Sequence, residues 1–99
     1  MPRPKVERTI CGRPARSMFK PNGIPARELE HHTLLADEFE ALRLVDHIGM
    51  QQIQAAEAMG VSRQTLANIV KSARFKVADC LLQGKALVMA ESNEHGEQQ

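Results

Sequence analysis

The chain has 99 residues, a net charge of +1, and three Phe but no Trp or Tyr. That length suits one small domain with a core of Leu, Val, Ile, Ala and Met. No run of about 20 apolar residues would span a bilayer. No leader marks secretion, and two cysteines are too few for a disulfide framework, so the expected compartment is reducing and cytoplasmic.

The small net charge hides a strong segregation. Residues 1–27 hold seven Lys/Arg against one acidic residue, net +6. Residues 28–61 are net −6, residues 62–85 net +4 and residues 86–99 net −3. Basic charge therefore gathers at the N-terminus and in the stretch after Val61, as a nucleic-acid footprint requires.

Met1–Lys5 reads as a basic arm kept out of a helix by its prolines. Val6–Cys11 alternates and predicts a short strand. Gly12–Pro25 holds three of the five prolines and predicts a loop anchored to the helices by Met18, Phe19 and Ile24. Over Arg27–His32 periodicity does not decide between a helical turn and a strand.

Asp37–His47 is the first expected helix. Phe39, Leu42 and Val45 form its stripe, with Ala41 and Leu44 beside it. Asp37, Glu38 and Glu40 lie near its start, where the positive end of the helix dipole favours them. Ile48–Gly49 then turns the chain. Met50 or Gln51 opens a second helix that runs to Met59.

The stretch Gln52–Lys71, QIQAAEAMGVSRQTLANIVK, carries the helix-turn-helix pattern. Ala55 and Ala56 let a second helix approach closely. Met59, Val61, Leu66 and Ile69 supply apolar contacts. Gly60 suits the left-handed end of the first helix. Ser62 is placed to cap the next one, worth about 1 kcal/mol. A reciprocal capping box is absent, since Thr65 stands where Glu or Gln would be needed.

The third helix has no breaker between Ser62 and Gly84. Leu66, Ile69, Val70, Ala73, Val77, Cys80 and Leu81 share its expected core face. Gln64, Asn68, Lys71 and Phe75 lie opposite, with Arg63, Ala67 and Arg74 on a flank. Phe75 does not suit a DNA groove and is expected under the N-terminal loop or a partner subunit. Lys85–Ala90, KALVMA, predicts a strand. Its natural partner is Val6–Cys11, within the chain or across a dimer. Glu91–Gln99 reads as a disordered tail.

Side chains near the start of a recognition helix enter the major groove. Arg63 can fork onto guanine, and Gln64 or Asn68 can pair with adenine. Thr65 suits a thymine methyl or a phosphate. Lys71, Arg74 and Lys76 suit phosphates, and so set affinity and register. With the cap Ser62, these are the expected DNA-binding residues. The bland alternative is a helical hairpin with a solvated polar face.

Other chemistry is poorly supported. Cys11, Cys80, His31, His32, His47 and His95 form no zinc-ligand spacing, so no metal is expected. No phosphate-cradling loop exists, because GRPARS lacks the Gly-Lys-Ser/Thr ending. No enzyme activity and no cofactor are expected.

The segments FKPNGIPARELE, DEFEALRLVDHIGM and AAEAMGVSRQTLANIVKSARFKVADCLLQGKAL resemble a family of small uncharacterised prokaryotic proteins. Members of that family are predicted to bind DNA through a helix-turn-helix like that of sigma-factor region four. The resemblance covers about Pro2–Met89. It implies a three-helix DNA-binding core and a role in transcription control. Gly60–Thr65 is the part of the family pattern that transfers cleanly. This chain departs from the pattern at Leu35–Ala36, Ile53–Gln54 and Phe75.

The expected fold is mainly α: a three-helix helix-turn-helix core with a long third helix, plus short terminal strands that pair. Residues 1–34 form the arm, strand and loop. Residues 35–90 form the DNA-binding domain with its C-terminal strand, and residues 91–99 the tail. The expected function is sequence-specific binding of double-stranded DNA in transcription regulation, by a homodimer. The alternative is a protein-interaction module that docks on transcription machinery without reading bases. No membrane partner is expected.

Overall fold

The computed structural model describes residues 9–11 and 17–90. The Met1–Lys5 arm, Val6–Arg8 of the expected first strand, and the Glu91–Gln99 tail lie outside them. The described chain is mostly helical with a small three-stranded sheet. Strand β1 is Met18–Phe19, β2 is His31–Leu34 and β3 is Ala86–Met89. Helix α1 is Ala36–Ala41, α2 is Gln52–Met59 and α3 is Arg63–Gln83. Among the described residues, no helix is long and apolar enough to cross a membrane.

The expected C-terminal strand is present, but with different partners. β3 is the central strand, antiparallel to β1 and parallel to β2. Thr9–Cys11 is not in the sheet. Instead the Thr9 N–H donates to the Met59 carbonyl at 3.0 Å, at the end of α2. Met18 and Phe19 do not anchor a loop onto helices, since they form the β1 edge and remain 39% and 54% exposed. A parallel pair needs a long crossover. Here the whole three-helix unit is that crossover, leaving from β2 and returning to β3.

Helix α1 starts at Leu35–Ala36, where no side chain of the capping residue can accept a bond. The Glu38 carboxylate reaches back and accepts the Leu35 N–H at 2.8 Å. From Leu42 to Ile48 the helix widens into π-type turns, and both Gly49 and Met50 N–H close onto the Leu44 carbonyl. Gly49 ends this run at φ 94°. Gly60 ends α2 at φ 71°, a left-handed conformation that costs a side-chain-bearing residue about 1–2 kcal/mol.

The core is built where the sequence pattern places it. Ala41, Leu44, Ala55, Ala56, Met59, Leu66, Ile69 and Val70 form one buried cluster, flanked by Val45, Met50 and Val61. Ala55 and Ala56 are 0% and 3% exposed. Their missing bulk is what lets α2 and α3 meet. Truncation of a fully buried Leu66 to Ala would cost about 2–5 kcal/mol.

Farther along α3 the expected core stripe fails at one position. Ala73 and Cys80 are buried and Val77 is half-buried, but Leu81 is 79% exposed. Leu81 lies one turn before Gly84, where the chain leaves the helix for β3.

Candidate nucleic-acid interface

The turn between α2 and α3 sets the start of α3. The Ser62 hydroxyl oxygen accepts the Thr65 N–H at 3.0 Å, and its own O–H donates to Thr65 Oγ1 at 2.9 Å. Both hydroxyls are therefore committed to the cap, while the Thr65 proton is still available to an outside acceptor. Arg63, Gln64, Asn68 and Lys71 are all exposed, side by side on the first turns of α3. Gln64 Nε2 donates to Asn68 Oδ1 at 3.3 Å, one helical turn away.

The basic residues divide into two groups. Among the described residues of α3, Arg63 and Lys71 carry no ion pair. Arg74 does. Its guanidinium forks onto Asp46, with Nε to Oδ2 at 3.1 Å and Nη2 to Oδ1 at 2.6 Å. The hydrogen bond from Arg74 holds the Asp46 carboxyl below its ordinary pKa, and the same bond raises Arg74. The pair is about half exposed, so it is worth little to stability, about 0–1 kcal/mol.

Lys76 is turned inward and is not on the outer face. Its ammonium donates to the Thr33 carbonyl at 2.7 Å and to Glu38 Oε1 at 2.8 Å. Glu38, 4% exposed, also accepts from the Ser72 hydroxyl at 2.6 Å. Burial alone would raise the Glu38 carboxyl. The bonds from Lys76, Ser72 and the Leu35 N–H outweigh it and hold the pKa below 4.5. A cation so placed completes a part-buried network that joins α3 to α1 and β2.

Lys85 is held in a comparable way. Its ammonium donates to Asp79 Oδ2 at 2.7 Å, the same oxygen that faces His32 Nε2 at 2.7 Å. Hydrogen bonds from Lys85 and then His32 lower the Asp79 carboxyl. The net +4 of residues 62–85 thus shrinks, at the outer face, to Arg63, Lys71 and the half-tethered Arg74.

The outer stripe of α3 continues past Lys71 and changes character. Gln64, Asn68 and Lys71 are followed at helical spacing by Phe75, Ala78 and Leu82. Phe75 is 61% exposed and Leu82 81%. The described part of the N-terminal loop does not cover Phe75. Its ring meets His32 edge-on, with centroids 5.7 Å apart and planes at 72°.

Sequence reasoning missed the partners that withdraw Lys76 and tether Arg74. Glu38 precedes Lys76 by 38 residues and Asp46 precedes Arg74 by 28, and no local spacing signals either contact. Among the described residues, no group of three His, Cys, Asp or Glu side chains is placed to hold a metal ion.

Fold and surface define a small, mainly helical protein with a three-stranded sheet and a polar, partly cationic helix face. The family described as "Protein of unknown function DUF134" matches residues 1–97, and the chain belongs to it. It is 70% identical over 93 residues to a UPF0251 protein of Aeromonas salmonicida, covering 94% of this chain and 91% of that one. A UPF0251 protein of Vibrio parahaemolyticus is 60% identical over 88 residues, 89% of this chain and 92% of that one. One from Vibrio vulnificus is 54% identical over 99 residues, 100% of this chain and 99% of that one. No solved structure matches.

Proposed function

We propose that this chain binds double-stranded DNA and regulates transcription, with α2, the Gly60–Ser62 corner and α3 acting as a helix-turn-helix like that of sigma-factor region four. One observation carries the reading. Arg63, Gln64, Asn68 and Lys71 stand exposed together on the first turns of α3, and Leu66, Ile69, Val70 and Ala73 are buried behind them. Such a rod, supported on one side and polar on the other, fits a major groove. Arg63 is the guanine-reading fork. Lys71 and the Thr65 hydroxyl take phosphates. Arg74 joins them when a phosphate competes with Asp46. Lys76 has a structural role instead.

The functional unit is a homodimer. One recognition helix reads few base pairs, and two half-sites double the information. The second copy sits on Phe75, Ala78 and Leu82, where small Ala78 admits a neighbouring helix between two large apolar side chains. This contact is centred on Ala78, about 22 Å along α3 from Arg63 at 1.5 Å per residue. Dimerisation and base reading therefore use opposite ends of one helix.

A mobility-shift titration on random duplex, at low and at high salt, tests the reading. Retardation at low salt that weakens steeply as salt rises is expected. No retardation even at low salt overturns it. The second reading, a module that docks on transcription machinery, draws on Ile48 and Ile53, 52% and 53% exposed within the acidic stretch 28–61. It predicts no retardation of duplex at any salt.

A further inference from the structure

We infer that Gln64 and Asn68 act as one unit that reads a single adenine in the major groove, Asn68 making the base contacts and Gln64 positioning it. This rests on the DNA-binding reading above and adds a base identity to it.

The argument starts from the hydrogen bond between the two amides, Gln64 Nε2 to Asn68 Oδ1 at 3.3 Å. An amide oxygen has two lone pairs and the amide nitrogen two donors. Gln64 occupies one lone pair of Asn68. The other lone pair and both Nδ2 protons stay free, on a residue that is exposed. What remains is one acceptor beside one donor. Adenine presents the complement on its major-groove edge, the N6 amino donor beside the N7 acceptor. Guanine presents two acceptors, O6 and N7, and would set O6 against Asn68 Oδ1. Cytosine offers a donor only, and thymine an acceptor and a methyl.

In this arrangement the Gln64 donor holds the oxygen of the Asn68 amide, so the nitrogen is left for the base. Holding the side chain before DNA arrives removes part of the ordering cost of binding.

The test is a selection from randomised duplex, followed by titrations of Asn68→Ala, Gln64→Ala and the double variant on the selected site. The expected site carries an adenine at one position in each half. Asn68→Ala weakens binding to it about 10- to 100-fold and removes the preference at that position. Gln64→Ala relaxes the same position by a smaller factor. The double variant binds no worse than Asn68→Ala, since Gln64 acts through Asn68. Additive losses, relaxation at two different positions, or a selected site without that adenine overturn the inference and leave DNA binding standing. Failure to retard any duplex at low salt overturns both.

Discussion

Lys76 of α3 is hydrogen-bonded to Glu38 of α1 at 2.8 Å, and Glu38 also caps the start of its own helix through the Leu35 N–H. One carboxylate therefore joins α1, α3 and, through Lys76 and the Thr33 carbonyl, strand β2. Removing one partner of a buried ion pair leaves the other charged and unpaired. Lys76→Ala should destabilise the fold by about 3–5 kcal/mol. Urea unfolding would measure this. The folded fraction of the variant should keep the wild-type salt slope of DNA binding, because the Lys76 ammonium is engaged by Glu38 and the Thr33 carbonyl. A slope reduced by about one would return Lys76 to the DNA face.

The same carboxylate sets an acid limit on stability. Its folded pKa lies below the ordinary 4.5, so the unfolded chain binds its proton more readily. The stabilisation is complete above the ordinary value and is lost as pH falls below 4.5 through the lowered folded value. Glu38→Gln removes this titration and should flatten that part of the pH profile, from a lower starting stability. Urea midpoints from pH 6 to pH 3 check it. If wild type and variant lose stability in parallel over that range, Glu38 is not the linked group.

Much of this was legible in the sequence because it rests on short-range rules. Gly60, Ser62 and the pattern Ala55–Ala56–Met59–Leu66–Ile69 fix two helices, their corner and their contact, within a few residues of one another. The sheet was less legible. Met18–Phe19 is two residues long, too short to alternate, and it pairs with a strand about 70 residues away. Glu38 and Glu40 read as acidic residues placed by the helix dipole, and both are buried. Arg43 forks onto Glu40 with both bonds at 2.9 Å, a spacing of three residues that local rules could have flagged. The Glu38–Lys76 pair depends on how α1 crosses α3, which no local spacing encodes.

Arg63 and Lys71 should be separable by function. Arg63→Ala is expected to relax base preference at one position, at a cost of about 1–3 kcal/mol on the preferred site. Lys71→Ala is expected to weaken all duplexes alike and to reduce the salt slope by about one. Titrations on a selected site and on random duplex, at several salt concentrations, distinguish the two. Equal effects of both variants on both duplexes would contradict these roles.

Asp46 tethers the third cation of that face. Asp46→Ala frees Arg74 and removes a negative charge from the approach to DNA. Binding to random duplex should tighten, and the salt slope should steepen by about one as Arg74 gains a phosphate. Stability should change by no more than about 1 kcal/mol, since the pair is exposed. Unchanged affinity at low salt would mean that Arg74 already contacts DNA from within the pair, or never does.

The far half of α3 supplies the test of assembly. Phe75 and Leu82 are large, apolar and mostly exposed, and Ala78 lies between them on the same stripe. Leu82→Glu sets a carboxylate within the proposed contact, where a second copy would have to desolvate it. In a lone chain the same change is a surface substitution, within about 0.5 kcal/mol of neutral. Light scattering should give twice the chain mass for the wild type and the single mass for Leu82→Glu, with unchanged helical content and melting temperature. Retardation of a two-half-site duplex should then require higher protein concentration, while single half-sites are bound as before. A wild type of single-chain mass at the concentrations that retard DNA would dismiss the dimer and leave the recognition face to act alone.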